Sequence, residues 1–166
     1  QEPPCQAIYL PLYDKKAREF ITLARSSGIT IPILGADGWN GPALAKNTDA
    51  AYLTNLFYTD HYANDVHEQT AETFAERYYE KYGQWPDSYA ALGYDSLMMV
   101  ADAVRRGNSA SPQQIAQELA KTMDFTGATG RVVLDSNHDA IKSVFILTFW
   151  QGEPALLKKW PAVTTQ

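Results

Sequence analysis

With 166 residues, 45% of them hydrophobic and 20% charged, the chain can bury one good core and shows no sign of disorder. A net charge of −5 and a pI near 5.1 leave no basic stripe, and phosphate neutralisation needs clustered Lys and Arg, so nucleic acid is not an expected partner.

Residues 6–12, Gln-Ala-Ile-Tyr-Leu-Pro-Leu, read as a buried strand. From Asp14 to Ser27 the apolar positions Ala17, Phe20, Ile21 and Ala24 fall at helical spacing, and Gly28 stops the helix. A second strand follows at 31–35. Two strands joined by one helix form a βαβ unit with parallel strands, so Tyr13 and Asp37 both emerge at the carboxyl edge of one sheet. That edge is where open α/β folds bind ligands. The loop Ala36-Asp37-Gly38-Trp39-Asn40-Gly41-Pro42 is dense in turn formers. It leads through a short helical stretch to about Lys46 and a third apolar run at 51–57.

Residues 58–65 are polar and without period, which suits a connection between two bodies. From 66 to 82 a helical stripe of Ala71, Phe74, Ala75, Tyr78 and Tyr82 ends at Gly83, with Pro86 barring continuation. The next helix runs from about Asp87 to Arg106, its basic end suited to the helix dipole. Ser111-Pro112-Gln113-Gln114 forms a capping box with proline at the first helical position, opening a helix through Ile115, Leu119 and Met123. The period then changes: 130–134, 143–150 and 155–160 read as strands, expected to form antiparallel hairpins.

No apolar stretch approaches the roughly 20 residues that span a bilayer. The Gln-Glu-Pro-Pro start has neither the charged nor the apolar region of a signal peptide. The chain as read is expected to be soluble and to carry no address. Its lone cysteine, Cys5, rules out an internal disulfide and reads as an inert thiol.

Four segments together resemble the substrate-binding proteins of branched-chain amino-acid type ABC transporters, the periplasmic binding proteins of the type I fold. They are Ile33-Leu34-Gly35-Ala36-Asp37-Gly38-Trp39; Tyr79-Glu80-Lys81-Tyr82-Gly83 with Pro86-Asp87; Tyr89-Ala90-Ala91-Leu92-Gly93-Tyr94-Asp95; and Phe125-Thr126-Gly127 leading through Gly130 to Asp135. The resemblance implies an α/β fold, with parallel sheets flanked by helices in two lobes and antiparallel strands at the C-terminal end. This chain is similar only to the C-terminal half of the family. Residues 1–58 would belong to the second lobe, 59–65 to a crossover, 66–134 to the first lobe and 135–166 to the second again. The resemblance further implies a small-molecule ligand, an ABC transporter permease as partner, and a periplasmic or extracellular place, with lipid anchoring through the N-terminal part this chain lacks. With that part absent, half of the cleft is missing, and a retained N-terminal segment or self-association is expected to cover the exposed sheet edges.

In amino-acid binding members a tyrosine and an acidic residue at the positions of Tyr13 and Asp37 hold the ligand's α-ammonium group. A carboxylate facing an ammonium at about 4 Å gains roughly 4 kcal/mol at an effective dielectric near 20, and the phenol adds a neutral hydrogen bond. The plain alternative is an Asp-Gly turn pair, with Asp37 bonding locally. Trp39 is either a wall of the side-chain pocket or a packing residue. Tyr89 could reach the cleft from the start of its helix, although its place on the apolar stripe favours packing. Tyr9 and Tyr94 read as structural. The cluster around Asp60, His61, Asp65 and His67 invites a metal, but His61 and His67 are not spaced for one helix face, so a solvated hinge is the expectation. No Gly-x-Ser-x-Gly, Walker or His-Glu-x-x-His pattern occurs, so no cofactor, metal or catalytic role is expected. The rivals to a transport protein are a ligand-sensing domain of the same fold, a small α/β enzyme using Asp37 and Tyr13, and a scaffold without a competent site.

Overall fold

A computed structural model describes residues 4–162. They divide into two units, one taking the chain up to Asp65 together with Phe145–Lys159, the other built on Val66–Val144.

The first unit opens with the expected βαβ: β1 (Ile8–Tyr9), α1 (Asp14–Ser26) and β2 (Ile33–Gly35). The strands are parallel, with Ile8 opposite Ile33 and Tyr9 opposite Leu34. Helix α1 buries Ala17, Ile21 and Ala24, positions four and three residues apart that stack along one face. Its Arg25 guanidinium donates to the carbonyls of Ile29 at 2.6 Å and Thr54 at 2.9 Å, joining the end of the helix to the loops that enter the next strands. Strand β1 is shorter than the run 6–12 because the Leu12 N–H, next in the ladder after those of Ile8 and Leu10, turns back to the Leu10 carbonyl at 2.9 Å; the last sheet bond on this side is Leu10 N–H to the Leu34 carbonyl at 2.7 Å.

Helix α2 (Pro42–Lys46) follows, then β3 (Leu56–Asp60), parallel to β2 with Ile33 opposite Leu56 and Gly35 opposite Tyr58. The strand expected at 51–57 is therefore displaced. Asp49 accepts the Ala51 N–H at 2.9 Å, and this local capping bond winds Ala50–Tyr52 into a 3-10 turn. The ladder starts later and runs on to Asp60, through residues expected to be connection. Strand β7 (Val144–Trp150) pairs antiparallel with β3, and β8 (Glu153–Trp160) completes the order β1-β2-β3-β7-β8. Gln151 and Gly152, with φ of 52° and 87°, make the two-residue turn between them, and positive φ at both positions matches the strand twist. Ile21, Ile33, Leu44, Leu56, Tyr58, Phe145 and Leu147 form this unit's core.

The second unit holds α3 (Gln69–Tyr82), α4 (Ser88–Gly107) and α5 (Pro112–Leu119), and a small sheet of β4 (Phe125–Gly127), β5 (Gly130–Leu134) and β6 (Ala140–Lys142). Two of the predicted helix ends, at Gly83 and Ser111, are met by their expected devices, while α5 stops at Leu119 instead of running through Met123. Gly83 closes α3 at φ 68°, Asp87 accepts the Ala90 N–H at 2.8 Å, and Ser111 accepts the Gln114 N–H at 3.3 Å. Strands β4 and β6 were not expected. Asp135 folds its own loop by accepting the N–H groups of Asn137 and Asp139, which lays β6 back on β5. The chain returns to the first unit at Phe145.

Tyr9 and Tyr94 correct the expectation of structural burial. Tyr9 is 65% exposed because β1 turns it away from the buried Leu10 side. Tyr94 packs one face on Phe74, centroids 4.8 Å apart, and leaves the rest exposed.

Candidate functional site

Strands β1, β2 and β3 are parallel neighbours, so the chain leaves all of them at one edge. Past β1 it reaches Tyr13, past β2 Asp37, and directly past β3 His61. Each is delivered by a different local device.

Tyr13 is the extended residue before α1, with its carbonyl accepting the Ala17 N–H at 2.9 Å. Its side chain stands in solvent, 75% exposed. Asp37 opens a single 3-10 turn, Asp37–Trp39. The turn is held from beneath by Trp39, whose indole Nε1–H donates to the Leu10 carbonyl at 3.1 Å and whose ring lies 5.8 Å from that of Tyr58. Gly35 makes room for this ring, since a Cβ there would overlap the indole. Gly38 sits against the β1 exit: a Cβ on it would come within 3.1 Å of the Leu12 carbonyl and 3.3 Å of Tyr13 Cδ1. The turn carrying Asp37 is thus seated directly on Tyr13, and the two residues share a rim.

A second set of bonds stitches the turn to β3. Asn40 Nδ2 donates to the buried Asp60 carboxylate, and Asp60 Oδ1 accepts the His61 N–H at 2.6 Å. His61 Nε2 lies 3.7 Å from Asp37 Oδ2, with the imidazole side chain 38% and the carboxylate 60% exposed. Beneath them the Tyr58 phenol is pushed far above its usual range, chiefly by burial and further by the charges of Asp60 and Asp65, so it stays neutral and packs as an aromatic. The rim therefore offers one solvated carboxylate, one phenol and one imidazole above a packed floor, a set suited to a small cationic or amphipathic group.

Trp39, read as either a pocket wall or a packing residue, is only 1% exposed and pins the turn from below, its indole filling the space that Gly35 leaves by lacking a Cβ. Tyr89 belongs to the second unit, on the first turn of α4, and is 52% exposed, so packing does not enclose it as its place on the stripe suggested. His61 is the residue that sequence reasoning left in a hinge. The same rule that selects Asp37, a polar residue just past a parallel strand, selects it once β3 is known to run to Asp60.

The second unit has its own groove of about 820 Å³ between α3, α4 and β4, lined by Phe74, Tyr78, Tyr82, Tyr94, Met98 and Phe125 among others. None of the rim residues contributes to it.

The family described as "Periplasmic binding protein" matches residues 2–153. Solved structures similar to the chain include a leucine-binding protein from Thermotoga maritima, at 36% identity and TM-score 0.86 over 94% of this chain and 45% of that one. They also include a branched-chain amino-acid transporter substrate-binding protein from Streptococcus pneumoniae in complex with isoleucine, at 31% identity and TM-score 0.84 over 95% and 44%. A solute-binding protein of an ABC transporter from R. palustris in complex with benzoate shares the fold at 18% identity and TM-score 0.81 over 97% and 45%. The chain spans less than half the length of each of these proteins. No curated protein sequence matches it.

Proposed function

The chain belongs to the periplasmic binding protein family, a family of solute-binding proteins, and on that footing we propose that it is part of an ABC transporter's substrate-binding protein that captures an α-amino acid. The reading rests on one observation, the joint seating of Asp37 and Tyr13 at the carboxyl edge of β1 and β2. Asp37 supplies the charge for the ligand's ammonium group and Tyr13 a directed hydrogen bond. Two of the similar proteins, one named as leucine-binding and one in complex with isoleucine, have in their names amino acids that carry that ammonium group.

In this reading the unit ending at Asp65 is part of the second lobe and Val66–Val144 part of the first. The ligand is held in the cleft between the complete lobes, and closure on it is what the permease reads. The exposed apolar side chains of α4, Leu97 at 68% and Met98 at 41%, support a protein in which more polypeptide covers the second unit. The chain acts outside the cytoplasm and transforms nothing.

A comparison of L-leucine, L-isoleucine and benzoate by thermal shift and calorimetry tests the reading. In a polypeptide holding both halves of the cleft the amino acids bind near the micromolar range, about −8 kcal/mol, and benzoate, without an ammonium group, gives no shift. Stabilisation by benzoate and not by the amino acids overturns it.

A further inference from the structure

We propose that His61 governs the charge Asp37 presents at the rim, which makes it a specificity-determining residue for cationic groups. The inference deepens the amino-acid reading and rests on it for the identity of the ligand, but the coupling of the two side chains is a property of this chain alone.

The geometry carries it. His61 Nε2 is 3.7 Å from Asp37 Oδ2, at the distance an ammonium group would itself take up. The two residues come from adjacent parallel strands, and both backbones are fixed. His61 is held by its N–H bond to Asp60 at 2.6 Å, and the Asp37 turn by Trp39 on Leu10. A neutral imidazole leaves the carboxylate its full charge for a ligand cation. A protonated imidazole is a cation already in place, and a ligand ammonium must displace it. Imidazole is the side chain that changes charge in the range where this matters.

Several charged groups of the described residues lie near the pair. Asp14, beside Tyr13, turns its carboxylate to the same loop and accepts the Lys15 and Ala43 N–H groups at 2.7 and 3.2 Å. On β3, Asp60 is the acceptor for His61 N–H and for Asn40. Beyond it, Asp65 Oδ2 accepts the Leu156 N–H of β8 at 2.8 Å. Lys159 of β8 lies over the ring of Phe145, 5.5 Å from its centroid, and Phe145 of β7 is the residue paired with Asp60. Tyr13 and Tyr58 are the phenols of this edge. Asp37 is the carboxylate that the His61 ring meets in an ion-pair contact.

The test has two arms. In the first, the imidazole resonances of His61 are followed by NMR from pH 5 to 8 without ligand, in the native chain and in Asp37→Asn. The expected result is a titration midpoint that falls in the variant, because the charge favouring the imidazolium is gone. An unchanged midpoint overturns the proposal. In the second, L-leucine affinity is measured in a polypeptide holding both halves of the cleft, at about pH 8 and pH 5.5, on either side of the range in which imidazole changes charge. The native chain loses roughly two- to fivefold at the lower pH, the range for an exposed pair, and His61→Gln loses nothing. An equal loss in His61→Gln overturns the proposal. If leucine binds at neither pH while Asp37→Asn still moves the His61 midpoint, the amino-acid reading fails and the control of Asp37 by His61 stands.

Discussion

The indole of Trp39 donates its Nε1–H to the carbonyl of Leu10 at 3.1 Å, and this bond across β1 and β2 sets the height at which Asp37 leaves the sheet. Trp39→Phe keeps most of the buried ring and removes one of two donors to the Leu10 carbonyl, which still accepts the Leu12 N–H at 2.9 Å, a loss of about 1 kcal/mol. Gly35→Ala is worse placed, because its methyl group must push the indole aside, at a cost of about 1–3 kcal/mol. Urea unfolding followed by tryptophan fluorescence measures both, and both variants are expected to lower ligand affinity through a displaced turn.

The two groups at the rim differ in charge, and that difference orders their effects. Asp37→Asn removes the charge that meets an ammonium and is expected to weaken L-leucine at least about tenfold, close to 1.4 kcal/mol. Tyr13→Phe removes a neutral hydrogen bond and should cost about threefold to tenfold. Calorimetry at low and high salt separates them further, since only the Asp37 contribution is screened. Equal affinity in Asp37→Asn and the native chain removes Asp37 from the site.

In the second unit, stability concentrates on Asp95. Its carboxylate, 4% exposed, accepts the N–H groups of Ala128 and Thr129 at 2.6 and 2.8 Å and the Thr129 hydroxyl at 2.7 Å. Lys142 Nζ donates to the same hydroxyl oxygen at 2.6 Å. Helix α4 is thereby fastened to the β4–β5 turn. Asp95→Ala leaves these buried donors unpaired and should destabilise the unit by about 3 kcal/mol, with Asp95→Asn intermediate. Native-state hydrogen exchange at Ala128 and Thr129 reads the loss directly.

Arg106 joins α4 to α5, and its partners predict a response to acid. Its Nε donates to Asp102 at 2.7 Å and its Nη1 to the Glu118 carboxylate at 3.1 Å and carbonyl at 2.9 Å. Asp102 is held below the usual carboxylate range first by the hydrogen bond from Arg106 and then by Arg105. Glu118 is held low first by Lys121, with Arg106 and Gln114 adding to it. Groups whose folded pKa is depressed contribute stability above their unfolded pKa, near 4, and lose it as the pH falls through the folded value. Arg106→Gln is therefore less stable than the native chain at pH 7, and the gap narrows below about pH 4 as both carboxylates protonate. Urea unfolding of both proteins at the two pH values measures it; a constant gap would show that Arg106 acts through its uncharged acceptors, the Glu118 carbonyl and the Thr122 hydroxyl.

Helices were legible because their signals are local. The Ser111 cap, Gly83 with its left-handed backbone and the buried stripe of Ala17, Ile21 and Ala24 lie where the sequence predicts, since capping and the 3.6-residue period act between neighbours in the chain. The strands were read less well. The apolar run at 51–57 hid the bond by which Asp49 winds a turn, and β4 and β6 exist only because β5 lies between them. Short runs carry too little pattern to reveal a partner distant in sequence.

The site divides the same way. That Tyr13 and Asp37 leave neighbouring parallel strands at one edge follows from a strand, a helix and a strand in succession, because a right-handed crossover admits no other arrangement. Whether Trp39 faces a ligand or the interior, and whether His61 reaches Asp37, depends on the hole left at Gly35 and on β3 extending to Asp60. Those are facts of packing between segments far apart in the chain, which only the folded arrangement of the sheet could decide.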